Sequence, residues 1–395
     1  MTDPNDAAAL AGSDIYLTHD LLGDEERAVR DRVRRFCDEQ VLPIINGYWE
    51  RAEFPFELIP KLAPLGVCGG TIQGYGCPGL SPLAAGLVSM ELARGDGSVS
   101  TFHGVHSGLA MMAIGLLGSE EQKGRWLPGM ARLETIGAFA LTEPAHGSDA
   151  VTLETRVRRL GDGYVIDGAK RWIGNATFAD VMVVWARDAA GDVGAYVVEK
   201  GTAGVETRLI TGKIAKRASW QADVTLSDVR VPAENRLANA SSFDDAARVL
   251  GAARPGIAWG ALGHAVAAYE AAVAYALDRE QFGSPLGGYQ ITQYRLAKML
   301  ADITGMRLIC MRLAQLVADG ELTPAMASLA KMHNAARARA VVAEARDLLG
   351  GNGLLLENDV ARHLGDVEVV STVEGTDVVH ALIVGREITG MSAFS

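Results

Sequence analysis

Phe139-Ala140-Leu141-Thr142-Glu143-Pro144-Ala145-His146-Gly147-Ser148-Asp149 is the stretch at which the character of the chain changes. Upstream, apolar residues recur at helical spacing, as in Val29, Val33, Phe36 and Val41, the period of a helix with one buried face. Downstream, short β-branched runs are bounded by turn residues: Val157 to Arg159, the turn Gly161-Asp162-Gly163, Tyr164 to Ile166, Val181 to Trp185, and Ala195 to Val198. The first two of these runs read as a hairpin. The β pattern closes near Val229-Arg230-Val231-Pro232, after which helical periodicity returns. The expected architecture is α+β and multidomain: an N-terminal all-α domain over 20–137, a middle β-barrel-like domain over 138–240, and a C-terminal four-helix bundle over 241–395.

Within the helical parts the punctuation is local. Asp24 is the expected cap of the first helix, and Pro43 marks where that helix must stop or bend. Ser81-Pro82 opens a helix over Leu83 to Leu92, and Gly115 to Met130 reads as another. Gln290 to Ala318 carries Leu296, Met299, Ile303, Met306, Cys310, Leu313 and Val317 on one face and stops at Gly320, and Thr323-Pro324 opens the next helix. Short connections between such helices favour antiparallel neighbours in a bundle.

With 395 residues, 49% of them hydrophobic and 22% charged, the chain can bury a large core. A net charge of -11 argues against nucleic acid and against anionic membrane surfaces, both of which need clustered Lys and Arg. Cys37, Cys68, Cys77 and Cys310 form no CxxC and no His-Cys cluster, so neither a metal site nor a disulfide frame is expected. No run of eighteen apolar residues and no targeting signal is evident, which points to a cytoplasmic protein without membrane insertion.

The candidate for chemistry is Glu374, in Val373-Glu374-Gly375-Thr376-Asp377-Val378-Val379-His380. Val378, Val379, Leu382 and Ile383 start a helix with Thr376 as its cap, so Glu374 sits in the turn before it. Gly375 lets a ligand approach the backbone there. A carboxylate in that place is either a base or a solvated partner of the helix dipole, and the turn alone does not decide between them.

Four stretches taken together do decide. The segment from Phe139 to Asp149, Lys170-Arg171-Trp172-Ile173-Gly174-Asn175, Arg279-Glu280-Gln281-Phe282-Gly283, and Leu349-Gly350-Gly351-Asn352-Gly353 with Glu374-Gly375-Thr376 resemble the acyl-CoA dehydrogenase family in order and spacing. The resemblance covers nearly the whole chain. It implies bound FAD, an acyl-CoA substrate, Glu374 as the base that removes the α-proton, an electron-transfer flavoprotein as electron acceptor, and a place in fatty-acid β-oxidation. It further implies that Phe139, Leu141, Thr142, Thr376 and Asp377 contact the flavin, that Gly147 and Ser148 serve the pyrophosphate, and that Trp172, Ile173 and Gly174 flank the ring. Arg279, Phe282 and Gln290, with Asp347, Leu348, Leu349, Gly350 and Gly351, match positions that reach the FAD of a neighbouring subunit, which implies a homotetramer built as a dimer of dimers. Arg254, Gly375, Ser148 and Ser100 match substrate contacts.

Each of these residues also has a purely structural alternative: a turn at Thr142 to Ser148, a core Trp172, a helix cap at Gly350-Gly351, and ion pairs of Arg279 with Asp278 or Glu280 and of Arg254 with Asp244 or Asp245. The chain departs from many relatives at Gly174, where they carry a threonine; its wording there is close to plant-type short-chain acyl-CoA oxidases, which keeps oxygen open as acceptor. A non-catalytic scaffold with the same fold is the remaining alternative. Other stretches, among them Gly74-Tyr75-Gly76-Cys77 and Gly385 to Gly390, resemble glutaryl-CoA dehydrogenases. Those enzymes hold the distal carboxylate of their substrate with an Arg-Ser pair, where this chain has Ser100 and Thr101, and Ala93 stands for an acidic residue. An uncharged short- or medium-chain acyl group, straight or branched, is therefore expected, with Arg94 the one nearby cation, facing Asp96 or solvent.

Overall fold

Helix α1, Asp24–Phe36, buries Val29, Val33 and Phe36 in the computed structural model, which describes residues 12–393. Its cap is Gly23 rather than Asp24: the Glu26 carboxylate reaches back to the Gly23 N–H, and Asp24 falls in the first turn, where acid favours the helix dipole. Pro43 does not end this run. The chain passes through a π-helical segment, Cys37–Val41, into α2, Leu42–Arg51, and Pro43 occupies its first turn, where no N–H is needed.

Helix α3, Pro82–Gly95, is capped by Ser81, whose Oγ accepts the Ala84 N–H at 3.1 Å. Asp96 caps α4, Gly97–His103, which runs on as a π-helical segment, Gly104–Met111. The stretch expected as one helix from Gly115 to Met130 is two, α5, Met112–Leu117, and α6, Glu120–Ala131. Ser119 and Gln122 form a reciprocal capping box that starts a new helix where the old one leaves off at Gly118.

The middle of the chain is one curled seven-stranded sheet: β1 (Gly137–Ala140), β2 (Arg156–Leu160), β3 (Gly163–Gly174), β4 (Val181–Arg187), β5 (Val193–Glu199), β6 (Val205–Leu209) and β7 (Gln221–Pro232). The strand order is β1-β4-β2-β3-β7-β6, with β5 on the other side of β4. β2 and β3 form the expected hairpin, pairing Leu160 with Gly163. Alternation divides the sheet between two cores: Phe139, Leu141, Val183 and Trp185 join the N-terminal helices, while Ala138, Ala140, Val184 and Ile166 pack on the other face.

Helix α7, Phe243–Asp278, leads through a two-residue hairpin, β8 (Glu280–Gln281) and β9 (Ser284–Pro285), into α8, Gln290–Ala318. Then follow α9, Pro324–Leu348, capped by Thr323, and the shorter α10, Val360–Val370, and α11, Asp377–Thr389. α9 packs against α7, α8, α10 and α11, the bundle expected, around Leu262, Met299, Met306, Val342 and Val367. α3 seals α7 from the other side. At Gly86 of α3 a β-carbon would lie 2.3 Å from the Trp259 indole, so the two helices approach only because that side chain is absent.

Five of the eight histidines are buried: His103, His106, His264, His363 and His380. His264 and His363 face each other Nδ1 to Nδ1 at 2.9 Å, so one is donor and the other acceptor. No helix among the described residues is long and apolar enough to cross a membrane.

Candidate active site

Between α10 and α11 the backbone is forced into the left-handed region twice, at Glu374 (φ 53°) and at Gly375 (φ 101°). A non-glycine residue there is strained and has to be held. Thr376 Oγ1 accepts the Val379 N–H at 3.3 Å and starts α11 as expected, and Lys331 of α9 donates from Nζ to the Gly375 carbonyl at 2.8 Å. Gly375 cannot be replaced without strain or displacement, since a β-carbon would lie 2.9 Å from His380 Nε2. Two polar groups of Glu374 remain unused: Oε2 is shielded from solvent without a hydrogen bond, and the backbone N–H has no acceptor among the described residues.

Burial pushes the Glu374 carboxyl up to about 7, against the opposing pull of Arg254, Lys331 and Lys216 in that order. Arg254 of α7 is half-buried with Nε unpartnered, and its guanidinium faces Glu374. The alternative pairing with Asp244 or Asp245 does not form, because Asp245 is engaged by Arg248 at 3.4 Å and by the N–H groups of Ser241 and Ser242. The sequence reading missed Lys331 and Lys216. Neither lies near Glu374 in the chain, and only tertiary packing delivers them.

The loop after β1 is fixed by a buried ion pair. Lys170 Nζ bonds Glu143 Oε1 at 2.8 Å and the Leu141 carbonyl at 3.1 Å, and Glu143 also accepts the Thr155 N–H at 2.9 Å. The Arg171 N–H donates to the Thr142 carbonyl at 2.9 Å, so Thr142 and Trp172 sit on adjoining backbones. Trp172 is not at a hairpin tip. A register shift between Lys170 and Ile173 bulges β3 and turns Trp172 (φ 64°) outward, 52% exposed, with the Arg171 guanidinium 5.3 Å from its ring. Phe139, Leu141, Ile173 and Gly174 are buried, and Gly147 and Ser148 are exposed on the loop. An exposed aromatic face beside an exposed Gly-Ser loop fits a planar cofactor with a phosphate tail.

Gly174 is filled from across the site: a β-carbon there would come 2.8 Å from Val105 Cγ2, in the π-helical segment after α4. Along the same stretch Ser100 and Thr101 are half-buried, and β-carbons at Gly104 and Gly108 would meet nothing within 4 Å. Arg94 does not face Asp96 or solvent. It is buried among Glu91 at 2.8 Å, Glu270 at 3.5 Å and Asp38, so each of its three guanidinium nitrogens already has a carboxylate partner.

A second group of expected residues lies elsewhere. Arg279 is at the far end of α7 from Arg254, about 37 Å away at the rise of a helix. Phe282, 98% exposed, Gln290 and the exposed Asp347, Gly350 and Gly351 gather at that same end, where Asn352 bonds the Tyr275 hydroxyl at 2.8 Å. Leu348 is half-buried and Leu349 is buried in the bundle. Arg279 forms no ion pair with Asp278 or Glu280, whereas Asp347 is taken by Arg295 at 2.8 Å. One chain therefore does not bring this group to Glu374.

The chain matches three family models in succession: acyl-CoA dehydrogenase N-terminal domain over residues 23–134, middle domain over 138–229, and C-terminal domain over 243–389. It is 32% identical to the mitochondrial short-chain specific acyl-CoA dehydrogenase of Bos taurus over 93% of this chain and 90% of that protein. Among solved structures, a glutaryl-CoA dehydrogenase from Mycobacterium smegmatis superposes with a TM-score of 0.94 at 41% identity, covering 97% of this chain and all of that one. A glutaryl-CoA dehydrogenase from the same organism in complex with FADH2 gives 0.95 at 38% identity, covering 98% of this chain and 100% of that one.

Proposed function

Since the chain belongs to the acyl-CoA dehydrogenase family and is thereby an FAD-dependent oxidoreductase, we propose that it oxidises an uncharged short- or medium-chain acyl-CoA, straight or branched, to the trans-2-enoyl-CoA and passes the electrons to an electron-transfer flavoprotein. The observation that carries this reading is the Glu374 turn, with its shielded, unpartnered carboxylate oxygen and its unused backbone N–H. A thioester α C–H is too weak an acid for a carboxylate unless the carbonyl is polarised. The free Glu374 N–H is a donor for that carbonyl oxygen, and its bond would strengthen as enolate charge develops. The Glu374 carboxylate then takes the α-proton, while Arg254, Gly375, Ser148 and Ser100 position the thioester and its acyl chain.

Bound FAD supplies the acceptor for the β-hydrogen, which leaves as hydride. The groups suited to hold it are Phe139, Leu141, Thr142, Thr376 and Asp377 at the ring edge, Trp172, Ile173 and Gly174 beside it, and Gly147 and Ser148 at the pyrophosphate. The distance between Arg279 and Arg254 along α7 supports giving Arg279, Phe282, Gln290 and the segment 347–351 to the cofactor of a neighbouring copy, in a homotetramer. An exposed Phe282 then gains a cover.

An uncharged acyl group is favoured because Arg94 is consumed by Glu91, Asp38 and Glu270, while Ser100 and Thr101 offer no charge. Oxygen as electron acceptor is the second reading, favoured by Gly174 packing on Val105, which leaves no side-chain hydroxyl beside the ring. The test is anaerobic bleaching of the flavin by butyryl-, isobutyryl-, octanoyl- and glutaryl-CoA, followed by peroxide measurement in air. Preference for glutaryl-CoA would overturn the uncharged acyl group, and no bleaching by any thioester would overturn the dehydrogenation itself.

A further inference from the structure

Lys331 of α9 is fully buried. An ammonium taken out of water is costly and uncommon unless protein groups replace its hydration. Two atoms face it here. Nζ donates to the Gly375 carbonyl at 2.8 Å, and Asp377 Oδ1 lies 3.6 Å away, too far for a hydrogen bond. Both partners belong to the passage from α10 into α11, so α9 commits a buried charge to the turn that carries Glu374. The nearer of the two is the peptide carbonyl and not the carboxylate. An ion pair that merely fastens α11 to α9 does not account for that choice.

The turn is closed and strained. The Asp377 N–H donates to the Ser371 carbonyl at 3.2 Å, and the N–H groups of Thr372 and Val373 both return to the Val369 carbonyl, at 2.9 and 3.0 Å. Within it Glu374 and Gly375 both take positive φ, 53° and 101°. His380 of α11, also fully buried, fills the side that a Gly375 side chain would occupy: its Nε2 and Cε1 lie 2.9 and 3.0 Å from where that β-carbon would be. Neither ring nitrogen of His380 reaches hydrogen-bond geometry, so the imidazole backs the turn by bulk while Lys331 holds it by a directed bond. Strain of this kind persists only where the surroundings over-determine it. The turn presents two groups of one residue, the Glu374 carboxylate and the Glu374 N–H, and relaxation of its dihedrals would displace both together.

We propose that Lys331 is a positioning residue for the dehydrogenation: by gripping the Gly375 carbonyl it keeps the Glu374 turn left-handed, so that carboxylate and N–H meet one thioester at the same time. The other charged or titratable groups around the ammonium are Asp377 and His380 of α11, Arg254 of α7 and Glu374 itself. A pure charge effect is a different role, since it would set how much of Glu374 is ionised, whereas the grip sets where the ionised group stands. This assignment rests on the reading of Glu374 as base.

The experiment measures anaerobic flavin reduction per bound FAD across pH in the parent holoenzyme, Lys331→Met and Lys331→Gln, with hydrogen–deuterium exchange of the peptide spanning 371–380 on the same samples. Lys331→Met keeps the length of the side chain and removes the donor. Its limiting rate on the alkaline plateau, where Glu374 is ionised, should fall about 10–10²-fold, the loss expected of a misplaced reacting group. The N–H groups of the turn should exchange faster at unchanged FAD content. Lys331→Gln keeps an N–H donor without the charge and should retain more of the plateau than methionine does. Should methionine prevent folding, Lys331→Leu also removes the donor and carries the same expectation. A parental plateau in these donor-less variants, a loss that disappears as the pH is raised, or a turn that exchanges no faster would overturn the proposal. If no acyl thioester bleaches the parent flavin, the base assignment falls instead, and the exchange comparison still decides whether Lys331 holds the turn.

Discussion

Removing the proton acceptor and varying its ionisation test the same atom in two ways. With the Glu374 carboxyl at about 7, lowering the pH protonates it, and a protonated carboxyl cannot take the α-proton. About nine-tenths is ionised at about pH 8, half at about pH 7 and one-tenth at about pH 6, so kcat/KM should fall about tenfold between the first and last. The sign is fixed: a carboxylate raised by burial loses activity on the acid side. Glu374→Gln should fold and hold FAD but reduce the flavin about 10²–10⁴ times more slowly, and its residual rate should show no acid limb. Stopped-flow bleaching under anaerobic conditions with a saturated acyl-CoA reads both effects. A parental profile that stays flat over that range, or a Gln variant near the parental rate, would refute the assignment.

Gly174→Thr should destabilise the protein by about 1–3 kcal/mol, because its β-carbon would meet Val105, and adding Val105→Ala should recover most of that loss in thermal melts. Gly86→Ala drives a methyl into the Trp259 indole and should cost at least as much, with lowered soluble yield as the simplest readout. Arg279→Ala should lower FAD content and weaken the assembly together if the cofactor bridges two copies; unchanged sizing and flavin content would remove Arg279 from that role.

The order of helices, sheet and bundle was legible because it is written in local periodicity: α8 ends where Gly320 says it must, and Thr376 caps α11. Caps were less so, since Asp24 and Gly23 compete for one place and the winner depends on where Glu26 reaches. Glu374 was found through its neighbours in the chain. Lys331 and the Lys170–Glu143 pair were not, because each lysine meets its target across a long sequence gap and looks, residue by residue, like a solvated surface charge. Arg94 shows the converse error: its adjacent residue types suggested solvent, while Glu270 and Asp38 arrive from other helices.

The buried imidazoles give the fold an acid limit of its own. Desolvation holds His103, His106 and His380 at about 4 and His264 and His363 well below their ordinary value, so all five stay neutral in the folded protein. The unfolded chain would begin protonating them near pH 6.5. Unfolding therefore takes up protons below that point, and the stability these residues contribute is present above it and is lost as the pH falls. Glu374 works in the opposite sense, since the cost of burying its charge is relieved as the pH drops from about 7 toward its unfolded value. Asp366 and Glu91, also raised by burial, act in the same sense, and three such carboxyls are outnumbered by five imidazoles. Acidification should first silence turnover reversibly through Glu374 and then melt the molecule with a steep, multi-proton dependence, so that an acid-quenched sample regains activity only if it is neutralised before the histidines are exposed.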